Sequence, residues 1–115
     1  MAAPIRKFHT AAFFSTNETD ALTVGTASAN VSLSNTNTDL VQALFVNVGA
    51  NVVYINLGTD NTVAAGVPSS GTPANGIPLL PNSALVLAIG TATYVAAIAS
   101  VAGNTLFVTV GSGGI

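Results

Sequence analysis

The sequence predicts an all-β fold: a single antiparallel β-sandwich or barrel of seven or eight strands, with an extended N-terminal arm; its jelly-roll-like character is what the resemblance given below implies. Three observations carry that prediction. Clusters of Gly, Pro, Asn, Asp and Ser punctuate the chain about every ten residues. The runs between them are rich in β-branched, aliphatic and aromatic residues that alternate with period two. No stretch has the spacing of a convincing amphipathic helix. With 115 residues the chain is one domain, divided into an arm over residues 1–20 and a sandwich over residues 21–115.

The arm holds both basic residues, Arg6 and Lys7, the lone His9, three phenylalanines (Phe8, Phe13 and Phe14), and the polar run Ser15-Thr16-Asn17-Glu18-Thr19. It lacks the basic start and apolar core of a signal peptide, so export by that route is not supported. It reads either as a frayed terminus or as a segment that docks on a neighbour through its phenylalanines. Residues 21–24 and 29–33 are short strand candidates around Gly25-Thr26-Ala27-Ser28, and residues 34–39 form a polar loop.

Residues 40–58 organise the rest and predict a β-hairpin. Two strand-like runs flank Gly49-Ala50-Asn51, and Gly and Asn tolerate the positive φ of a tight turn. Alternation then puts Leu44, Val46 and Val48 with Val53, Ile55 and Leu57 on one core face. Phe45, Asn47, Tyr54 and Asn56 point the other way, toward water or a second layer. Beyond Gly58, residues 62–64 suggest a small edge strand, and residues 67–76 a long surface loop. Pro78 and Pro81 bar residues 77–81 from a central ladder. Residues 83–89, 94–99 and 105–110 supply three more strands. Residues 84–101 approach the length of a membrane-spanning helix. Gly90-Thr91-Ala92-Thr93 breaks that run and no Lys or Arg flanks it, so two buried strands joined by a turn explain it better and no membrane partner is expected.

Charge is scarce. Two basic and four acidic side chains (Arg6, Lys7, Glu18, Asp20, Asp39 and Asp60) serve the whole chain, and none follows residue 60. Soluble domains usually carry about a quarter of their residues charged. Either Asn, Ser and Thr keep this chain in solution, or copies of itself or a partner cover much of its surface; the composition favours the second. A formal net charge of -2 offers no field for nucleic acid, and Arg6-Lys7 is too small a patch to change that.

The inventory for catalysis is equally thin. His9 is the single imidazole and lies beside two cations in the arm, where a solvated or interface role outweighs a general base. Glu18, Asp20, Asp39 and Asp60 fall in predicted loops or loop edges, and turn or capping roles account for Asp39 and Asp60 better than a calcium site does. No cysteine is present, which removes disulfides, thiolate metal sites and thiol nucleophiles. Gly111-Ser112-Gly113-Gly114 has the composition of a phosphate loop but no following helix or lysine. The sequons at Asn17 and Asn30 are expected by chance in so Asn-rich a chain. The expectation is a protein without enzymatic activity and without a cofactor or metal.

The succession Asn47-Val48-Gly49, Val53-Tyr54-Ile55-Asn56-Leu57-Gly58, Gly76-Ile77-Pro78-Leu79-Leu80-Pro81-Asn82 and Val108-Thr109-Val110-Gly111-Ser112-Gly113 resembles small structural proteins of tailed bacteriophage virions. It spans roughly residues 40–113. The resemblance implies a compact β-sandwich or jelly roll that decorates or cements the capsid shell, or sits at a tail or fibre position, commonly as a trimer. The implied partners are the major capsid protein or other virion subunits and further copies of the chain, and the implied location is the virion, assembled in the bacterial host cytoplasm. No catalytic residue comes with it. Arg6, Lys7, Phe8, Phe13, Phe14 and Tyr54 are the candidate partner-contacting residues, the arm adding a strand to a neighbouring sheet edge with its phenylalanines in pockets. A tail or fibre module binding a receptor or carbohydrate through residues 67–76 is the alternative, and a self-assembling fibril protein stands third.

Overall fold

The structure, a computed structural model, describes residues 13–33 and 42–113. Its elements are β1 (Phe13–Val24), β2 (Ala29–Ser32), β3 (Gln42–Val48), β4 (Val53–Gly58), β5 (Ile77–Leu79), β6 (Ser83–Ala88), β7 (Tyr94–Ala99) and β8 (Asn104–Gly113). They form two four-stranded sheets, ordered β1-β8-β3-β6 and β2-β7-β4-β5. Strand β1 with β8, β2 with β7, β3 with β6 and β4 with β5 are all antiparallel partners. That nesting is a long hairpin, folded at the β4–β5 connection and wound on itself. Two further pairings, β3 with β8 and β4 with β7, close each sheet. The result is a jelly roll, an eight-stranded sandwich of two Greek keys.

The core lies between the sheets. Val24, Phe45, Leu106, Val108 and Val110 meet Val53, Ile55, Leu79, Val95, Ala97 and Ala99 there. Strand β1 starts at Phe13, so the first sheet takes in residues 13–20, which the sequence assigns to the arm. Residues 1–12, with Arg6, Lys7, Phe8 and His9, lie outside the described residues.

The hairpin over residues 40–58 is not formed. Strands β3 and β4 belong to opposite sheets, and residues 49–52 are an arch that carries the chain across the sandwich. A Gly-Ala-Asn break between apolar runs suits either connection; what selects the arch is long-range pairing, β3 being held by β6 and β8 and β4 by β5 and β7. The face assigned to β4 holds, with Val53 and Ile55 buried and Leu57 packed against the core. For β3 it is inverted. Ala43, Phe45 and Asn47 are fully buried, whereas Leu44 and Val46 are half-buried and Val48 is exposed on the opposite face. Residues 62–64 form no strand, and Pro78 sits in three-residue β5 at a sheet edge.

The outer face of the second sheet has a cover. Asn30, Ala96 and Asn56 stand side by side across β2, β7 and β4. The Asn30 amide donates to the carbonyls of Asn61 (2.9 Å) and Val63 (3.5 Å), and the Asn56 amide to that of Ala64 (2.8 Å). The Ala65 amide donates to Ser28 Oγ at 2.9 Å. These bonds hold the β4–β5 loop down on the sheet, and Ala96 between the two asparagines is sealed from solvent. The second layer anticipated for Asn56 is this loop.

Candidate interaction surface

Among the described residues, none covers the outer face of the first sheet in this way. Pairing sets its residues in rows. Thr19, Thr109, Leu44 and Val86 form one, and Ala21, Phe107, Val46 and Ala84 the next. Thr23, Thr105 and Val48 form a third. The hydroxyls of Thr19 and Thr109 bond each other at 2.7 Å, which fixes both on this face.

Its exposed apolar side chains are large: Val48 is 49% exposed, Val86 39% and Phe107 37%. No charged residue falls in the rows. Asp20 pairs with Val108, whose side chain is in the core, so alternation puts Asp20 on the inner side of β1. Asp60 belongs to the β4–β5 loop on the other sheet, where the Thr62 hydroxyl and amide donate to its carboxylate and hold its pKa below the ordinary carboxylate value. An uncharged face with paired hydroxyls loses little hydration energy when covered, and each apolar side chain covered contributes to association.

No protein-family model, curated protein or solved structure matches the chain. The chemical reading therefore comes from the surface and the topology. Among the described residues no three His, Cys, Asp or Glu side chains gather as metal ligands, and no helix is long and apolar enough to cross a membrane.

Of the residues singled out in the sequence, Phe13 and Phe14 enter β1 opposite Gly113 and Ser112. Tyr54 is half-buried on the second sheet, opposite Pro78 and Ile98 and against Gly76. Tyr54 belongs to the second sheet, whereas Phe13 and Phe14 lie on β1 of the first. Arg6, Lys7 and Phe8 lie outside the described residues, as does Asp39. The face built from Leu44, Val46, Val48, Val86 and Phe107 is absent from the sequence-derived set. Its signal was present in β3, whose two alternating sets are both apolar apart from Gln42 and Asn47; a strand apolar on both sides has something to meet on both sides.

Other exposed apolar residues lie apart from these rows. Leu80 and Val101, 61% and 54% exposed, follow β5 and β7 at the end of the sandwich where Val48 closes β3. Their carbonyls accept from the buried amides of Asn47 (3.2 Å) and Asn104 (2.7 Å). The interior hydrogen bonds thus fix the backbone that presents them.

Proposed function

We propose that this chain is a non-enzymatic virion structural protein that decorates or cements a bacteriophage capsid by binding across subunit junctions. The observation that carries the reading is the outer face of the first sheet, which no described residue covers and which is apolar and uncharged in a chain with six charged side chains. Such a face suits permanent burial against other subunits, and many repeated copies of a modest contact add up through multivalency. The jelly roll supports it as an architecture that capsid proteins share with lectins and cupins, and the virion assignment itself rests on the sequence resemblance, since fold alone does not fix function. The same reading makes the protein a homo-oligomer, a trimer by that resemblance, with the major capsid protein or another virion subunit as partner.

Copy number in purified particles from the source organism tests the proposal. Hundreds of copies against the major capsid band support a shell component. A few tens or fewer move the chain to the tail or fibre and to receptor binding, and its absence overturns the virion role.

A further inference from the structure

We infer that Asn75 is a self-modification site: its side-chain amide condenses with the main-chain nitrogen of Gly76 and gives way to an aspartate or isoaspartate carboxylate, the isoaspartate freeing the tip of the β4–β5 loop. The inference is independent of the virion reading and uses described residues alone. Asparagine is labile where the next main-chain nitrogen reaches its Cγ, and glycine, with no side chain, obstructs that nitrogen least. The pair Asn-Gly occurs once in the chain, at residues 75–76.

Asn75 is exposed, and its side chain makes no hydrogen bond among the described residues. That sets it apart from Asn30, Asn47, Asn51, Asn56 and Asn104, whose amides donate to carbonyl oxygens. Strand β5 places the nucleophile. Pro78 has no N–H, so the ladder bonds to β4 come from Ile77 and Leu79, opposite Ile55 and Val53, and the amide of Gly76 turns away from that strand. It donates to no backbone carbonyl among the described residues. Packing requires the glycine. A Cβ at Gly76 would strike the Gly66 carbonyl oxygen and come within 2.8 Å of Tyr54 Cβ, so the backbone approach that fixes residue 76 also keeps the reactive pair.

The reaction needs only water. As the Gly76 nitrogen attacks Asn75 Cγ it loses its proton to solvent, a C–N bond closes a succinimide ring, and Nδ2 leaves as ammonia. Water then opens the ring. Attack at Cγ leaves an aspartate, and attack at the main-chain carbonyl leaves an isoaspartate, whose main chain is one atom longer. Either product puts a carboxylate into a stretch that has none after residue 60. The isoaspartate does more. The Asn75 carbonyl accepts from the Gly66 amide at 3.0 Å, closing a small hairpin whose tip is the Ser69–Thr72 bridge. With Gly76 packed against Gly66 and Tyr54, there is no slack for the extra atom, so that bond breaks and the hairpin lifts.

The test ages the folded full-length protein in mildly alkaline buffer, maps its peptides by mass, and reports isoaspartate by methyltransferase labelling. Asn61 and Asn82, also exposed but followed by Thr62 and Ser83, are internal references. The expected result is conversion at position 75 several times faster than at either reference, quickening as pH rises and more of the amide is deprotonated. Limited proteolysis within residues 66–75 should become several times faster after ageing. Asn75→Gln should age without either change, and Asn75→Asp, which adds the charge without the extra atom, should be cut as slowly as fresh parent. Conversion no faster than at the references, or only after denaturation, overturns the site; conversion with unchanged cleavage overturns the freeing of the loop. Neither result bears on the virion role.

Discussion

The side-chain amide of Asn47, on β3, donates to the main-chain carbonyl of Leu79, on β5, at 3.0 Å, tying the first sheet to the edge strand of the second. The same amide faces the carbonyls of Asn51 at 2.8 Å and Leu80 at 3.2 Å. One buried side chain thus fastens the β3–β4 arch and the end of β5. Replacing Asn47 by Ala removes the donor from three carbonyls and should cost about 1–3 kcal/mol. Chemical denaturation checks this: the midpoint should fall with the slope unchanged.

Gly49 in that arch lies against Asn104. A Cβ there would meet the Asn104 Cβ at 3.0 Å and Cα at 3.1 Å, while Asn104 Oδ1 is already engaged by the Asn51 amide at 3.3 Å. Gly49→Ala should therefore destabilise by about 1–3 kcal/mol through overpacking. Gly25→Ala, whose Cβ would find only Ala102 Cβ at 3.9 Å, should melt near the parent, and thermal unfolding of the pair compares them.

The orientation of β3 has its own test. Phe45 is fully buried, and Phe45→Ala should cost about 3–5 kcal/mol. Val86→Ser, on the outer face, should cost under about 1 kcal/mol yet weaken association. Equilibrium unfolding alongside sedimentation of both variants reads the two effects, and a reversed order would mean that β3 is turned by one residue.

These variants show where the sequence was legible. Tyr94–Ala99 was bounded correctly because glycine-containing turns flank a run with no competing period; the regular beat of such turns yields a sandwich or barrel of seven or eight strands, and only long-range pairing sets the jelly-roll order. Strand β3 was misread because hydrophobicity ranks its outward set, Leu44, Val46 and Val48, above its inward set, Ala43, Phe45 and Asn47. Only its neighbours resolve the choice: Phe45 is opposite buried Val108 on one side and Leu85 on the other. A buried asparagine is also a poor bet from sequence, since its burial depends on carbonyls as distant along the chain as those of Leu79 and Leu80. The interaction face was hidden for the same reason: its β3 residues Leu44, Val46 and Val48 read as core.

Asp60 gives the pH prediction. Its pKa is lowered by the hydrogen bonds from Thr62, so the turn gains stability above the unfolded-state pKa and loses it as pH falls through the lower folded value. An NMR titration should find the carboxylate of Asp60 titrating below the ordinary value, and Thr62→Ala should bring it back up.

The loop over the second sheet should open when its asparagine anchors are removed. The double variant Asn30→Ala, Asn56→Ala breaks the bonds to the carbonyls of Asn61, Val63 and Ala64. Limited proteolysis should then cut within residues 59–66 several times faster than in the parent, while the β-signal in circular dichroism is kept.

The central claim is that the outer face of the first sheet is where this subunit meets its partners, and Phe107, flanked by Ala21 and Val46, is the side chain to change. The most direct measurement is cosedimentation of Phe107→Asp protein with capsid particles depleted of the chain, beside the parent protein and with melting checked in parallel. Binding lost with the melting transition retained is the predicted result; a folded variant that binds as fully as the parent would contradict the account.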